Sequence, residues 1–212
     1  MTANRNDIRF ILLAIAAAAL SATAGFSLWQ LNQARQHAAL TSLVVLPEPR
    51  ALSDFSLLDQ HGESFSIERL RGRWSLLFFG FTYCPDICPS TLYDLRQVSD
   101  TLAGGDASEA APQVVFVSVD PERDSPERLG EYVSWFGPDF VGVTGAPEQL
   151  ALLAQRIGVA YRVEVHAPGS QDYSVDHSAS VFLTDPQGRL HGVFPAPVEA
   201  GAMAHDLSAL FD

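Results

Sequence analysis

The sequence predicts an α/β domain with a central mixed sheet and helices on both faces. Three observations carry this. Two near-continuous apolar runs, Trp74–Phe81 and Val114–Val119, have the composition of strands buried on both faces. Each leads through a turn into a segment of helical apolar spacing, Thr91–Leu102 (Leu92, Leu95, Val98, Leu102) and Glu127–Phe136. Near the C-terminus, Ala179–Leu183 and Arg189–Phe194 flank the tight turn Asp185–Gly188 as an antiparallel pair, and Glu199–Phe211 forms a final helix.

The remaining elements follow in chain order. Phe10–Gln33 carries no charge and Phe10–Trp29 spans 20 residues, the length of helix that crosses a bilayer core. Arg5 and Arg9 precede it and Trp29 ends it, which predicts one transmembrane helix with a cytoplasmic N-terminus. Ala22-Thr23-Ala24 supports a cleaved signal peptide as the alternative. Either way the folded part is expected in the periplasm or outside, attached to the inner membrane if the helix is retained. The expected organisation is a tip and anchor over residues 1–31, a linker over 32–50 with Pro47 and Pro49, and a folded domain over 51–212.

Within that domain, Phe55–Leu58 and Ser64–Ile67 read as a hairpin about the turn Asp59–Gly62, and Glu68–Arg73 as a turn ending near Gly72. Ser125 or Asp124 caps a helix that starts at Pro126. Phe140–Val143 is a short strand, and Pro147–Ile157 a helix closed by Gly158. Val159–Val165 and Tyr173–Val175 form an inserted hairpin about Pro168-Gly169-Ser170.

Charge excludes one class of partner. All 13 basic residues are Arg, and residues 36–212 hold 10 of them against 24 acids, a balance of −14. Such a domain is expected to repel nucleic acid and anionic membrane surfaces.

The two cysteines, Cys84 and Cys88, sit in one motif between the first buried strand and its helix. They cannot staple distant parts of the chain, so the motif points to chemistry. Cysteines four apart in a helical turn share one face, where they can bind one metal or close a disulfide. Thioredoxin-type redox motifs place two residues between the cysteines; three stand here, which favours a metal. Thiolates select soft ions such as Cu(I), and two sulfurs call for a third ligand. Of the six histidines, His37 falls in the linker, His205 in the last helix, His61 in a turn, His166 beside the Pro-Gly loop and His191 in a late strand. His177 directly precedes the strand Ala179–Leu183, in a loop that faces the cysteine motif in a thioredoxin-like topology. A capping histidine is the alternative there. Asp176 is placed to orient that loop or to support the histidine from outside the ligand set.

Phe79-Gly80-Phe81-Thr82-Tyr83-Cys84-Pro85-Asp86-Ile87-Cys88-Pro89, Ser118–Asp124, and Asp176-His177 with Leu183–Gly188 together resemble the Sco/SenC family, in matching order from about residue 51 to 194. The resemblance implies a thioredoxin-like fold that binds copper, as Cu(I) and also as Cu(II), through Cys84, Cys88 and His177. It implies a metallochaperone for the copper-bearing subunit of cytochrome c oxidase, delivering copper or reducing the receiving cysteines. Asp120 and the turn after it match the family's acidic loop and are assigned a structural role. The alternative is a thiol–disulfide oxidoreductase in which Cys84 and Cys88 form the redox-active pair and Asp86 tunes them. A peroxidase-like enzyme is a weaker third reading, because fold alone does not decide function.

Overall fold

A computed structural model describes residues 15–16, 18–29, 40–104 and 111–211. The chain divides into two units, Met1–Leu40 and Thr41–Asp212. In the first, residues 18–29 are helical and exposed. Among the described residues no helix is long and apolar enough to cross a membrane. The span expected at Phe10–Trp29 lies partly outside them.

The second unit holds β1 (Val44–Ala51), β2 (Leu57–Asp59), β3 (Ser64–Phe65), a 3-10 turn (Ile67–Arg69), β4 (Ser75–Gly80), α1 (Ile87–Ala103), β5 (Gln113–Ser118), α2 (Pro126–Ser134), β6 (Val141–Thr144), α3 (Pro147–Ile157), β7 (Tyr161–Val163), β8 (Val175–His177), β9 (Val181–Thr184), β10 (Arg189–Phe194) and α4 (Ala200–Phe211). Eight strands form one mixed sheet in the order β1-β10-β9-β4-β5-β6-β2-β3, and β7 and β8 pair separately. The β4–β5 and β5–β6 pairs are parallel, joined by α1 and α2 as crossovers. β9 runs antiparallel to β4.

Every residue of β4 is buried, as its unbroken apolar run requires. Alternate residues face opposite sides. Leu77, Phe79, Val115, Val117 and Val143 pack into one core with Leu150, Leu153 and Ile157 of α3. On the other face, a Cβ at Gly142 would meet Leu129 and Val133 of α2, and one at Gly80 would meet Cys88 of α1. Helices therefore cover both faces.

The caps are local and legible. Ser125 accepts the Arg128 N–H at 3.3 Å ahead of Pro126, while Asp124, the other candidate cap, points elsewhere. Gly158 adopts φ 93° and its N–H donates to Ala154 O at 2.8 Å, closing α3.

Two boundaries differ from expectation. The end of the expected 32–50 linker is β1, antiparallel to β10 with a register shift between Val45 and Arg50. Pro47 and Pro49 are tolerated because β1 is the edge strand. Its entry is tied down by Asp206 of α4, which accepts the N–H groups of Thr41, Ser42 and Leu43 at 2.9, 2.7 and 2.8 Å. The inserted hairpin also extends further than its sequence suggested, so His177 ends β8 opposite Tyr161 and does not lie in a loop.

Candidate metal centre

The site forms at the carboxyl end of β4, where parallel strands deliver functional groups. The chain leaves β4 through Phe81 and turns, the Cys84 N–H donating to Phe81 O at 3.2 Å. Cys84 is half-buried ahead of α1, and Cys88 is buried in its first turn. The Cys88 N–H donates to Cys84 Sγ at 3.4 Å, so a free amide of the helix N-terminus serves the first sulfur. Gly80 makes room for the second. A Cβ there would fall 2.7 Å from both Cys88 Sγ and Phe116 Cε2.

His177 arrives from β8. Its Nε2 lies 3.4 Å from Cys88 Sγ. Its Nδ1 lies 3.0 Å from Ser178 O; a carbonyl only accepts, so Nδ1 carries the proton and Nε2 presents its lone pair to the sulfur. Phe78 and Phe81 pack edge-on at 6.1 and 5.8 Å between ring centroids and fix the imidazole plane. Burial lowers the His177 pKa against the opposing pull of the Ser178 carbonyl and Asp176, which keeps the ring neutral. Burial raises the Cys88 thiol well above its ordinary value, with Cys84 adding to the effect. Without an ion, the Cys88 S–H therefore donates to Nε2.

The donor atoms of Cys84, Cys88 and His177 all lie within 4.8 Å of one another, the one such cluster among the described residues. Thiolate and imidazole bonds to a first-row ion are about 2.0–2.3 Å, so donors around one ion stand at most about 4.6 Å apart, and these three need a small inward shift to close on one. Two sulfurs and one imidazole suit a soft, three-coordinate ion. The other histidines lie elsewhere. His61 is an exposed turn residue whose N–H donates to Asp59 at 2.9 Å. His166 stacks on Tyr173 at 3.7 Å, His191 meets Trp74 edge-on at 5.0 Å, and His205 is exposed. His37 lies outside the described residues.

Asp86 is exposed and makes no capping bond. Asp176 is exposed and faces Arg162 at 3.5 Å, not the site. Sequence reasoning missed the role of Gly80; it gave the turn after Asp120 a structural role but not its partners in the cysteine loop. Asp124 accepts the Thr82 N–H and hydroxyl at 2.9 and 2.6 Å, and Arg123 lies over the Tyr83 ring at 4.9 Å. They belong to the Ser118–Asp124 motif, but their contacts are long-range and leave no local pattern.

The SCO1/SenC family profile matches residues 46–212. A Stutzerimonas stutzeri protein named for copper binding is 38% identical over 171 residues, covering 81% of this chain and 82% of that protein. The mitochondrial SCO2 homolog of Homo sapiens is 43% identical over 140 residues, 64% of this chain; the match spans 50% of that protein's length. A crystal structure of Arabidopsis thaliana ScoI with copper bound superposes with TM-score 0.68 at 32% identity, covering 74% of this chain and 96% of that one. The solution structure of apo Sco1 from Thermus thermophilus gives TM-score 0.71 at 36% identity over 80% of this chain and 96% of that one. These likenesses bear out the expected thioredoxin-like α/β fold with its mixed sheet.

Proposed function

The chain belongs to the SCO1/SenC family, and from that premise we propose that it binds one copper ion through Cys84, Cys88 and His177 and serves the copper site of cytochrome c oxidase, delivering copper or reducing the receiving cysteines. The observation that carries the reading is the convergence of two sulfurs and one imidazole within 4.8 Å. Copper is cargo here. On uptake the Cys88 proton is released to solvent, and Cys88 Sγ and His177 Nε2 both turn to the ion. Cu(I) suits the three donors, and Cu(II) takes a fourth, such as water. Cys84 is the accessible sulfur, flanked by Tyr83 and Ile87, which are 42% and 40% exposed. A recipient's thiolate therefore enters on that side.

Dithiol chemistry is favoured by the same asymmetry. The accessible Cys84 thiolate attacks a partner disulfide, releasing one partner thiolate and forming a mixed disulfide. Cys88 then attacks Cys84 Sγ as its proton passes to His177 Nε2, freeing the second partner thiolate and leaving a Cys84–Cys88 disulfide. The uncharged run Phe10–Gln33 behind Arg5 and Arg9 supports an inner-membrane anchor with the domain in the periplasm. Extraction of the full chain from membranes by alkaline carbonate counts against that anchor.

The test is anaerobic Cu(I) titration of the reduced full chain with metal analysis. One tightly held ion per chain, lost in Cys84→Ser and sharply weakened in His177→Ala, supports the copper reading. Parent-like binding by His177→Ala removes His177 from the ligand set. No binding by the parent, with a readily reduced Cys84–Cys88 disulfide, leaves the reductase reading.

A further inference from the structure

We infer that the buried turn Ser118–Asp124 is a positioning device that sets the separation between the cysteine loop and His177, with Asp124 holding the loop through Thr82 and Asp120 with Arg123 holding the histidine strand through Tyr173. The inference rests on the copper reading.

Each arm is built from named bonds. On the cysteine side, one carboxylate of Asp124 takes the N–H and hydroxyl of Thr82 at 2.9 and 2.6 Å and the Ser118 hydroxyl at 2.6 Å. Arg128 Nε donates to Thr82 Oγ1 at 2.7 Å, and its guanidinium lies 4.3 Å from the Tyr83 ring centroid. Thr82 is thus fixed at backbone and side chain, and Tyr83 is covered at its ring. On the histidine side, Asp120 forms a buried ion pair with Arg123 and accepts the Tyr173 hydroxyl at 2.6 Å. Arg123 Nη1 donates to the carbonyls of Gln171 and Tyr173, both at 3.1 Å. The Arg123 guanidinium also covers the Tyr173 ring at 3.7 Å, while His166 stacks at 3.7 Å. Tyr173 stands just ahead of β8, which ends at His177.

The two arms share one short segment. The Asp124 N–H donates to Asp120 O at 3.0 Å and the Val119 N–H to Gly80 O at 2.9 Å, so the turn is itself fixed to the end of β4. Arg123 also lies 5.5 Å from the Phe81 ring, which packs on His177. Asp120, Arg123 and Asp124 are 1%, 8% and 0% exposed, so they do not themselves receive an ion from solvent. A movement in this turn therefore changes the distance between sulfur and imidazole.

The test compares Tyr173→Phe with the parent in two readouts on the full chain. These are Cu(I) affinity by competition with a chromogenic chelator, and the equilibrium of the Cys84–Cys88 disulfide with a glutathione buffer. Removing the hydroxyl takes away the Asp120 bond and loosens the histidine arm, while the stacked ring and the Arg123 bonds to the Gln171 and Tyr173 carbonyls remain. We expect Cu(I) affinity to fall by up to about tenfold, the lower end for groups that support a ligand, because the hydroxyl reaches His177 only through β8, with the disulfide equilibrium unchanged. Added to His177→Ala, the same change costs nothing further. Asp120→Asn, an isosteric second variant, gives the same split. Asp124→Asn moves both readouts, because it frees the cysteine loop. An equal loss in the parent and His177→Ala backgrounds overturns the inference, as does parent-like affinity in folded Tyr173→Phe and Asp120→Asn. Failure of the parent to bind Cu(I) instead overturns the copper reading on which it stands.

Discussion

Replacing Gly80 by alanine puts a methyl carbon 2.7 Å from Cys88 Sγ and 2.7 Å from Phe116 Cε2. Ordinary non-bonded contacts of this kind are about 3.5–4.0 Å, so the methyl overlaps each neighbour by roughly 1 Å. Neither gives easily. The Phe116 ring is held by Phe78 and Tyr132 at centroid distances of 6.0 and 5.4 Å, and Cys88 is on a helix. Overpacking costs about 1–3 kcal/mol. Removing a strand glycine returns about 0.5–1 kcal/mol of chain entropy. Overlap with two neighbours at once puts the cost in the upper half of that range, so the clash wins and leaves a net loss of about 1–2.5 kcal/mol. At about 2–4 °C per kcal/mol for a domain of this size, Tm of the metal-free protein falls by roughly 2–10 °C. The sulfur is also pushed from its place 3.4 Å from His177 Nε2, and Cu(I) affinity falls about tenfold, the scale set by disturbed ligand support. A tenfold loss removes about 1.4 kcal/mol from the stabilisation that copper confers on the folded state. Calorimetry with and without Cu(I) reads both effects. A lower Tm with an undiminished copper increment refutes the seating of Cys88 against Gly80, and a parent-like Tm refutes the clash.

Three other outcomes concern an acid-sensitive anchor, the order of thiol reactivity and a helix cap. Burial raises the Asp206 carboxyl, but the N–H groups of Thr41, Ser42 and Leu43 outweigh it and hold the carboxyl below its ordinary value. The stability it contributes is therefore present above the unfolded pKa and lost as pH falls through the folded one; Asp206→Asn should cost about 1.5–3 kcal/mol at pH 7 and flatten the acid limb below about pH 5, and a parent-like acid unfolding curve would contradict this. In the reduced protein, iodoacetamide should modify Cys84 before Cys88, because Cys88 is buried and its thiol is raised; peptide mass spectrometry showing Cys88 modified first reverses the assignment of attacking sulfur. Ser125→Ala, which removes the cap on the Arg128 N–H, should cost about 1 kcal/mol with Cu(I) affinity unchanged, and a calorimetric loss near zero shows the cap contributes nothing.

How much of this was legible in sequence depends on the range of the interaction. β4 and β5 announce themselves because burial on both faces demands an unbroken apolar run, and α2 and α3 because Ser125-Pro126 and Gly158 act within one turn. β1 gave no such sign. Its exposure pattern does not alternate, its prolines suggest a linker, and its anchor to Asp206 acts across 163 residues at Leu43. The site divides the same way. Cys84 and Cys88 are four apart and speak through spacing. His177 stands 89 residues from Cys88, so its place came from expected topology and the family resemblance. Thr82 and Asp124 are 42 apart, and Asp120 and Tyr173 are 53 apart. Polar pairs at that range have no period to betray them.

The buried charges beneath the site need an account other than stability. Asp120 and Arg123 are almost fully withdrawn from water, and such a pair roughly breaks even against well-packed apolar residues. Leaving the pair in place therefore gains the fold little. What apolar residues cannot supply is direction. Asp124 meets Thr82 at two atoms, and Arg123 meets two carbonyls and a carboxylate, so each bond fixes an angle as well as a contact. A site whose donors come from a loop and a strand with no covalent proximity needs that directionality, because an ion bound by three atoms tolerates only small errors in their separation. The C-x-x-x-C motif straddles the helix start, so helix geometry places Cys88 while Cys84 depends on the loop that Asp124 holds through Thr82; the imidazole comes from β8, and the Ser118–Asp124 turn is where the two origins of the site are brought to a common reference.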